Sequence, residues 1–565
     1  MVRRTADILA GHGPARPGRV APAAAAAGPG IAGAEAPTGH PAAAPGAATG
    51  VLGPLVLLAF VMSLLVPGTL AIGPVNMTAY RLVLIAACIP LGLSWISGRS
   101  GPVSSVDLLY LASCVWISIA LVMVHGLSRI IFIGTNFVEL FGAYLIGRVL
   151  VRDAAGYRRF MRFTLLFLAI LFPFALIEFL TGQKLLQTIF GVVMSMKESP
   201  LSQQRLGFTR AAGPFSHPIH FGLFASLAFA NVYFLFWRRS QVVRTGAAAA
   251  VAFFTMLAIS SGALFSLALQ TAMILWDRGL AFLKSRWWIG VAIGAGALVF
   301  LLVSVQGGLF TYIVENLIFA RGAGEHRLDI YYYGTLQVLD TPWFGVGLGE
   351  WARPFWRPHP TIDSFWLMTA VRHGIPALLL LVGGMLVGMA RIAAARGLDA
   401  DGVQYRSGYM IALAGLLLML STVHIWGPVV VYVMAYLGAG AWFYTGDHAR
   451  RAVADDPVRL RREREAARRA AETGPRPGPA SVAAAGAAVR PWPGQPARSR
   501  AGAAGQAAGQ EAIVHPHTLV YERAPGTGRG RETVSGGPAG RGAGSRGAAG
   551  KTAGSGAGPG PRKRV

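Results

Sequence analysis

The sequence predicts an all-α fold, a polytopic transmembrane helix bundle of about 12 spans with a large periplasmic loop. Three observations carry this. Of 565 residues, 53% are apolar and only 13% are charged, about half the charged share of a soluble domain. The apolar residues arrive in blocks of about 16 to 30, nearly free of acids and bases at their centres, which is the pattern that a hydrocarbon core about 30 Å thick selects. Lys and Arg cluster on alternate connections between the blocks, the bias that sets membrane orientation. Helices rather than open sheets follow, because in lipid each spanning segment must satisfy its own backbone hydrogen bonds.

Residues 1–50 open with Arg3 and Arg4 and continue in Ala, Gly and Pro. They are predicted to be a disordered cytoplasmic leader, since a signal peptide needs an apolar core and a small-residue cleavage site. The membrane domain covers 51–445, with spans near 51–72, 79–97, 106–124, 130–150, 160–180, 214–236, 247–260, 262–276, 287–305, 363–390, 407–424 and 428–445. The two segments within 247–276 are each shorter than the usual twenty residues, so they read as two short spans or one long helix. Residues 446–565 are predicted to be a disordered basic cytoplasmic tail. From Asp447 onward there are 21 Lys/Arg and 9 Asp/Glu, which is +12 of the chain's +26, in a background of Ala, Gly and Pro. Such a segment buries too little apolar surface to offset its chain entropy. Its charge suits anionic membrane lipid, and no nucleic-acid partner is expected. Cys88 and Cys114 fall inside spans without metal-ligand spacing and read as packing residues.

With the N-terminus inside, the cytoplasm receives Arg99, the cluster Arg148, Arg152, Arg158, Arg159 and Arg162, and then Arg238, Arg239 and Arg244. Twelve spans also place Asp277, Arg278, Lys284, Arg286, Arg391, Arg396, Arg406 and the tail there, whereas eleven would break the alternation after residue 262. The expected localisation is the bacterial inner membrane with both termini cytoplasmic. Two sizeable segments are left outside, 181–213 and 306–362, and long ordered loops are where function concentrates. The second contains Arg321, Arg327, Tyr331-Tyr332-Tyr333 and Trp343-Phe344-Gly345-Val346-Gly347. Aromatic rings suit sugar faces and guanidinium groups suit phosphate oxygens; an interfacial aromatic belt with solvated charges is the plainer alternative. Within the spans, Glu139 and Glu178 need partners, with Arg129 or Arg148 available to the first and Lys184 to the second. The Gly290-to-Gly294 and Gly384-to-Gly388 spacings permit close helix packing.

Three stretches, in this order, resemble the O-antigen ligase and O-antigen polymerase superfamily, polytopic membrane enzymes that handle lipid-linked glycans. Arg210-Ala211-Ala212-Gly213-Pro214-Phe215 is similar to that family's Arg-x-x-Gly-x-Phe segment. Arg327-Leu328-Asp329-Ile330 with Pro342-Trp343-Phe344-Gly345-Val346-Gly347 resembles its Arg, short helix and Pro-x-x-Gly-x-Gly turn. Asp363-Ser364, nine residues, then Gly374 resembles its His-Asn, nine residues, Gly signature. Two positions depart from the pattern: Ser260-Ser261-Gly262 stands where the family has Ser-Arg-Gly, and Asp363 replaces the signature His, with His359 four residues upstream. These departures favour a polymerase-like or exopolysaccharide branch over strict lipopolysaccharide ligation.

The resemblance implies a glycosyltransferase acting on undecaprenyl-pyrophosphate-linked glycan in surface polysaccharide biosynthesis. Such transfer needs cations for the leaving pyrophosphate and an acceptor for the attacking hydroxyl's proton. Arg327 and Asp363 are the expected catalytic residues, and Arg210, Arg321, Arg372, His217 and His359 are expected to bind pyrophosphate or glycan. No metal and no cofactor are expected, because Arg supplies the positive charge. A chain-length regulator or other polysaccharide-assembly proteins are the expected partners, beside membrane lipid. Two plainer readings stand against these roles: Arg at a membrane boundary snorkels to headgroups, and an acid at a helix start serves as an N-cap. The rival functions are a lipid-linked glycan flippase or transporter and a superfamily member without catalysis.

Overall fold

Pro67 and Gly68 decide where the first apolar run stops being a helix. In the computed structural model α1 (Leu52–Ser63) ends before them, and an antiparallel hairpin follows, β1 (Thr69–Ile72) with β2 (Val75–Thr78), pairing Thr69 with Thr78. The expected span 51–72 is thus corrected to a 12-residue helix and a strand. Pro fixes φ and removes a donor, and a short apolar run has no period that separates strand from helix. The structure describes residues 52–72, 75–196, 203–304, 321–356 and 361–449, with 461 and 465. The leader 1–50 and nearly all of the tail 446–565 lie outside the described residues. The chain divides into two units, Met1–Gly474 and Pro475–Val565, and every element named here belongs to the first.

From α2 onward the chain is mostly helical: α2 (Ala79–Ile96), α3 (Ser105–His125), α4 (Ile130–Phe137), α5 (Ala143–Leu150), α6 (Ala154–Thr181), α7 (Leu185–Gly191), α8 (Pro218–Leu235), α9 (Gln241–Met256), α10 (Ser261–Gly279), α11 (Arg286–Ser304), α12 (Arg321–Asp340), α13 (Phe365–Ala393), α14 (Ala400–Thr422), α15 (Pro428–Ala439) and α16 (Trp442–Thr445). A π-turn, Val138–Gly142, joins α4 to α5, and a small hairpin pairs β3 (Gln204–Arg205) with β4 (Phe208–Thr209). The expected outer segments therefore carry structure: α7 and the β3–β4 hairpin lie within 181–213, and α12 within 306–362. Side-chain caps start several helices, with Ser104 and Asp107 forming a reciprocal capping box on α3 and Asp153, Ser240 and Asp399 capping α6, α9 and α14.

Among the described residues, 7 helical runs are long and apolar enough to cross a membrane. The longest, the 46-residue run Ser105–Leu150, is a hairpin. Gly126 turns the chain at φ 65°, and Arg148 near its end comes back to 3.0 Å from Asp107 near its start. The segment 247–276 resolves into two antiparallel helices, α9 and α10. Ile259 at φ 39° marks the break, and Arg244 and Arg278, at the far ends of the pair, both lie over the Tyr233 ring at 3.8 and 5.9 Å. Gly384 and Gly388 bring α13 onto Tyr110 and Val106 of α3, whereas at Gly294 an added Cβ would meet nothing.

One end of the bundle is a basic cluster. There Arg148 pairs with Asp107, Arg158 and Arg238 with Asp401, and Arg286 with Asp277, while Arg278 reaches Gln404. At the other end several helices and the β1–β2 hairpin surround a cavity. The core between the two ends is dominated by aromatic and aliphatic side chains of α5, α6, α8, α14 and α15, among them Tyr144, Phe160, Phe221, Tyr409 and Tyr436.

Candidate functional site

A helix broken inside its span shapes the site. α13 begins at Phe365, capped by the Ser364 hydroxyl, which accepts from the Leu367 amide at 3.3 Å. At Gly374 the backbone takes φ 80° and ψ 171°, so the helical ladder is interrupted. The freed carbonyls find donors in the Gly-rich turn: Val346 N–H donates to Val371 O and Gly347 N–H to Arg372 O, each at 2.9 Å, and Ile375 N–H donates to Pro342 O at 2.7 Å. Trp116 of α3 adds its indole N–H to the carbonyls of Trp343 and His373. A Cβ on Gly374 would collide with the Trp343 carbonyl, and one on Gly345 with that of Val371, so the backbones approach this closely because both residues are glycine. The two stretches that the sequence singled out, Pro342–Gly347 and Asp363–Gly374, are therefore two halves of one clasp.

The clasp brings the two expected catalytic residues together. Ile330 and Val338 of α12 pack with Trp351, Ile362, Leu367 and Val371 in a small separate core, which sets α12 beside the start of α13. Arg327 Nε then lies 3.8 Å from an Asp363 carboxylate oxygen, with side-chain exposures of 16% and 43%. At that distance the contact is ionic without a hydrogen bond, and among the described residues no acceptor reaches the buried Nε of Arg327. Asp363 is not the cap of α13, because Ser364 fills that role; the capping alternative for Asp363 is corrected accordingly. Tyr331, one turn from Arg327, donates its hydroxyl to the carbonyl of Ser421. Burial raises its phenol above the ordinary range, while the neighbouring Ser364 and Arg327 act in the opposite direction.

Two residues past Asp363, Phe365 enters the lining of a cavity of about 950 Å³, which neither Arg327 nor Asp363 lines; its volume is at the upper end of small-ligand sites. Its lining includes Phe365, Thr369, Arg372 and His373 from α13, His424 and Trp426 from the α14–α15 link, and Tyr80, Arg81, Asn136 and Glu139 from the opposite helices. Phe365 stacks near His424, with ring centroids 6.2 Å apart. Arg372 has no acidic partner among the described residues, and the Nδ1 atoms of His373 and His424 are buried without a hydrogen-bond partner. Burial first, then the Arg372 charge, lowers the His424 imidazole to about 3.

The remaining expected site residues separate. Arg210 donates from Nε to Ala258 O at 2.9 Å and from a terminal nitrogen to Gln203 at 2.5 Å, tying the segment before α8 to the α9–α10 break. Burial, then Arg205, lowers it to about 10. His217 caps α8 by accepting the Ile219 N–H at Nδ1, 3.1 Å away, and burial followed by Arg210 lowers it to about 4. Neither lines the cavity. Arg321 is the first residue of α12, but its side chain lies outside the described residues, as does His359. Cys114 is buried as expected, whereas Cys88 is only partly so. Among the described residues no cluster of His, Cys, Asp or Glu has the grouping to hold a metal.

Sequence reasoning missed the Arg81–Glu139 ion pair, 2.6 Å long and part of the cavity lining. The partners considered for Glu139 are corrected: Arg148 is held by Asp107 at the opposite end of the bundle, and Arg81 reaches Glu139 because α2 packs on the π-turn. Glu178 accepts the Gly213 N–H at 2.9 Å, with Lys184 nearby. In sequence, no family model and no curated protein matches this chain.

Proposed function

We propose that this chain is a glycan polymerase or ligase-like glycosyltransferase. Its substrate is undecaprenyl-pyrophosphate-linked saccharide, used at the outer face of a bacterial inner membrane to build surface polysaccharide. The observation that carries the reading is the meeting of Arg327 and Asp363, from positions 36 residues apart in sequence, close to Phe365 in the lining of a large cavity. In the transfer, an acceptor hydroxyl oxygen bonds to the anomeric carbon while the bond from that carbon to the pyrophosphate oxygen breaks. Asp363 takes the hydroxyl proton, and Arg327, with its unused Nε–H, stabilises the charge that grows on the leaving pyrophosphate. Arg372, without an acidic partner among the described residues, holds the same group from the cavity wall.

The proposed topology has twelve passes with both termini cytoplasmic. It is supported by where the chain contacts alternate: Arg81, Glu178, Ile259, Arg327 and His424 lie at the cavity end, and Arg148, Arg158, Arg238, Asp277, Asp401 and Arg406 at the basic end. A second reading, a carrier of lipid-linked glycan, draws support from the interruption of α13 at Gly374, since carriers bind substrate on broken helices.

Turnover of a purified polyprenyl-pyrophosphate-linked repeat by the full chain in nanodiscs separates the two. Arg327→Lys keeps the charge and loses the planar fork, and Asp363→Asn loses the base; each is expected to lower turnover roughly 10²–10⁴-fold with the protein folded. Near-normal turnover by both variants would overturn the site. Movement of the lipid-linked substrate across the bilayer with no transfer by wild type would favour the carrier.

A further inference from the structure

The cavity has two chemically different walls. α13 and the α14–α15 link contribute Arg372, His373 and His424, which suit an anion. β2, α2, α4 and the π-turn contribute Asn76, Tyr80, Asn136, Glu139 and the paired Arg81. The second wall is wrong for a phosphate, because its carboxylate repels one. It has the groups that read hydroxyls: a carboxylate accepts from two of them at once, and amides both donate and accept.

Glu139 also differs from the carboxylates that serve packing. Asp107, at the basic end, is saturated by Arg148, Tyr144, the Trp95 indole and the Ser104 N–H. In Glu139 the single Arg81 Nε engages Oε1 at 2.6 Å, with the Tyr80 hydroxyl beside the carboxylate. Arg81 is itself fixed by donating to Asn76 O at 2.8 Å. The π-turn Val138–Gly142 inserts an extra residue per turn at this point, a local distortion that recurs at functional sites.

We propose that Glu139, oriented by Arg81, forms a binding subsite for the hydroxyl groups of a saccharide. Its identity as the accepting saccharide, placed opposite the pyrophosphate-binding wall, rests on the transfer reading above. Glu139 is a binding residue here, and the proton acceptor remains Asp363.

The test is saturation-transfer NMR on the full chain in nanodiscs, using methyl glucoside, methyl galactoside and methyl N-acetylglucosaminide as probes. At least one glycoside should be saturated by wild type, and Glu139→Gln should weaken its binding about tenfold or more, the effect of losing hydrogen bonds to a charged acceptor. Glu139→Asp should retain part of the binding. The double variant Arg81→Gln/Glu139→Gln leaves no uncompensated charge, so it keeps the fold, and it should bind as weakly as Glu139→Gln. Undiminished glycoside binding by the folded double variant, or no saturation of any probe by wild type, would overturn the proposal. Parallel turnover assays separate it from the transfer reading: Glu139-dependent binding without any turnover removes the reading and leaves the subsite, and normal turnover by Glu139→Gln with an unchanged acceptor KM removes the subsite alone.

Discussion

Acidic side chains in this bundle hold one of two positions, and the partners tell them apart. Asp107 is 0% exposed and its partner Arg148 1%, with every oxygen of the carboxylate engaged. A buried pair of this kind contributes little beyond an apolar substitute, but removing one member leaves a charge stranded at a cost of about 3–5 kcal/mol. Asp107→Asn keeps the shape and is expected to lower the thermal midpoint of the detergent-solubilised chain by that much stability; an unchanged midpoint would contradict the pairing. Asp363 is the opposite case, half-exposed beside an underused guanidinium. In the sequence Asp363 and Arg327 could be singled out because motif spacing marks them. The partner of Glu139 could not, since which helix ends meet depends on packing, and Arg81 lies 58 residues away. The cap on α13 was missed by one residue for a related reason: Asp363 and Ser364 are both good caps by type, and only the backbone decides which hydroxyl or carboxylate faces the Leu367 amide.

At the scale of elements, the apolar blocks were legible and their interruptions were not. Block lengths located α2, α3 and α8 within a few residues because lipid burial imposes length directly, whereas α6 and α14 begin six and seven residues before the apolar blocks that marked them. The strand after Pro67, the π-turn and the break in α13 arise from tertiary contacts that a hydropathy pattern does not contain. The break is the consequential one, because it directs the carbonyls of Val371 and Arg372 to the Pro342–Gly347 turn and carries Arg372 into the cavity. Gly374→Ala forces a residue with a Cβ into φ 80° against the Trp343 carbonyl. That backbone conformation, which glycine alone adopts readily, costs a residue with a Cβ about 1–3 kcal/mol, and the collision adds to it. Loss of turnover together with a lower thermal midpoint is expected. Gly383→Ala, in the same helix with open space around it, should change neither; equal behaviour of the two variants would show that the clasp has no role.

For the whole molecule, the question is which end of the bundle faces outward. Among the described residues, the basic end gathers arginines from five connections around three paired acids, Asp107, Asp277 and Asp401, an excess for which the positive-inside bias predicts the cytoplasmic side. The sequence made this alternation legible because Lys and Arg were counted by connection, and the geometry adds that α11 leaves the basic end at Arg286 and the chain next appears at the cavity end at Arg327. Nineteen helical residues in α11, at 1.5 Å each, extend about 28 Å, just under the thickness of a hydrocarbon core. After replacement of Cys88 and Cys114, single cysteines at Ser128 and Glu350 should react with a membrane-impermeant maleimide on intact spheroplasts, and cysteines at Ser240 and Arg396 only after lysis. Reaction at Glu350 only after lysis would put Arg327, Asp363 and the cavity on the cytoplasmic side, where glycan transfer at the outer face is impossible, and both the proposed orientation and the proposed activity would then fall.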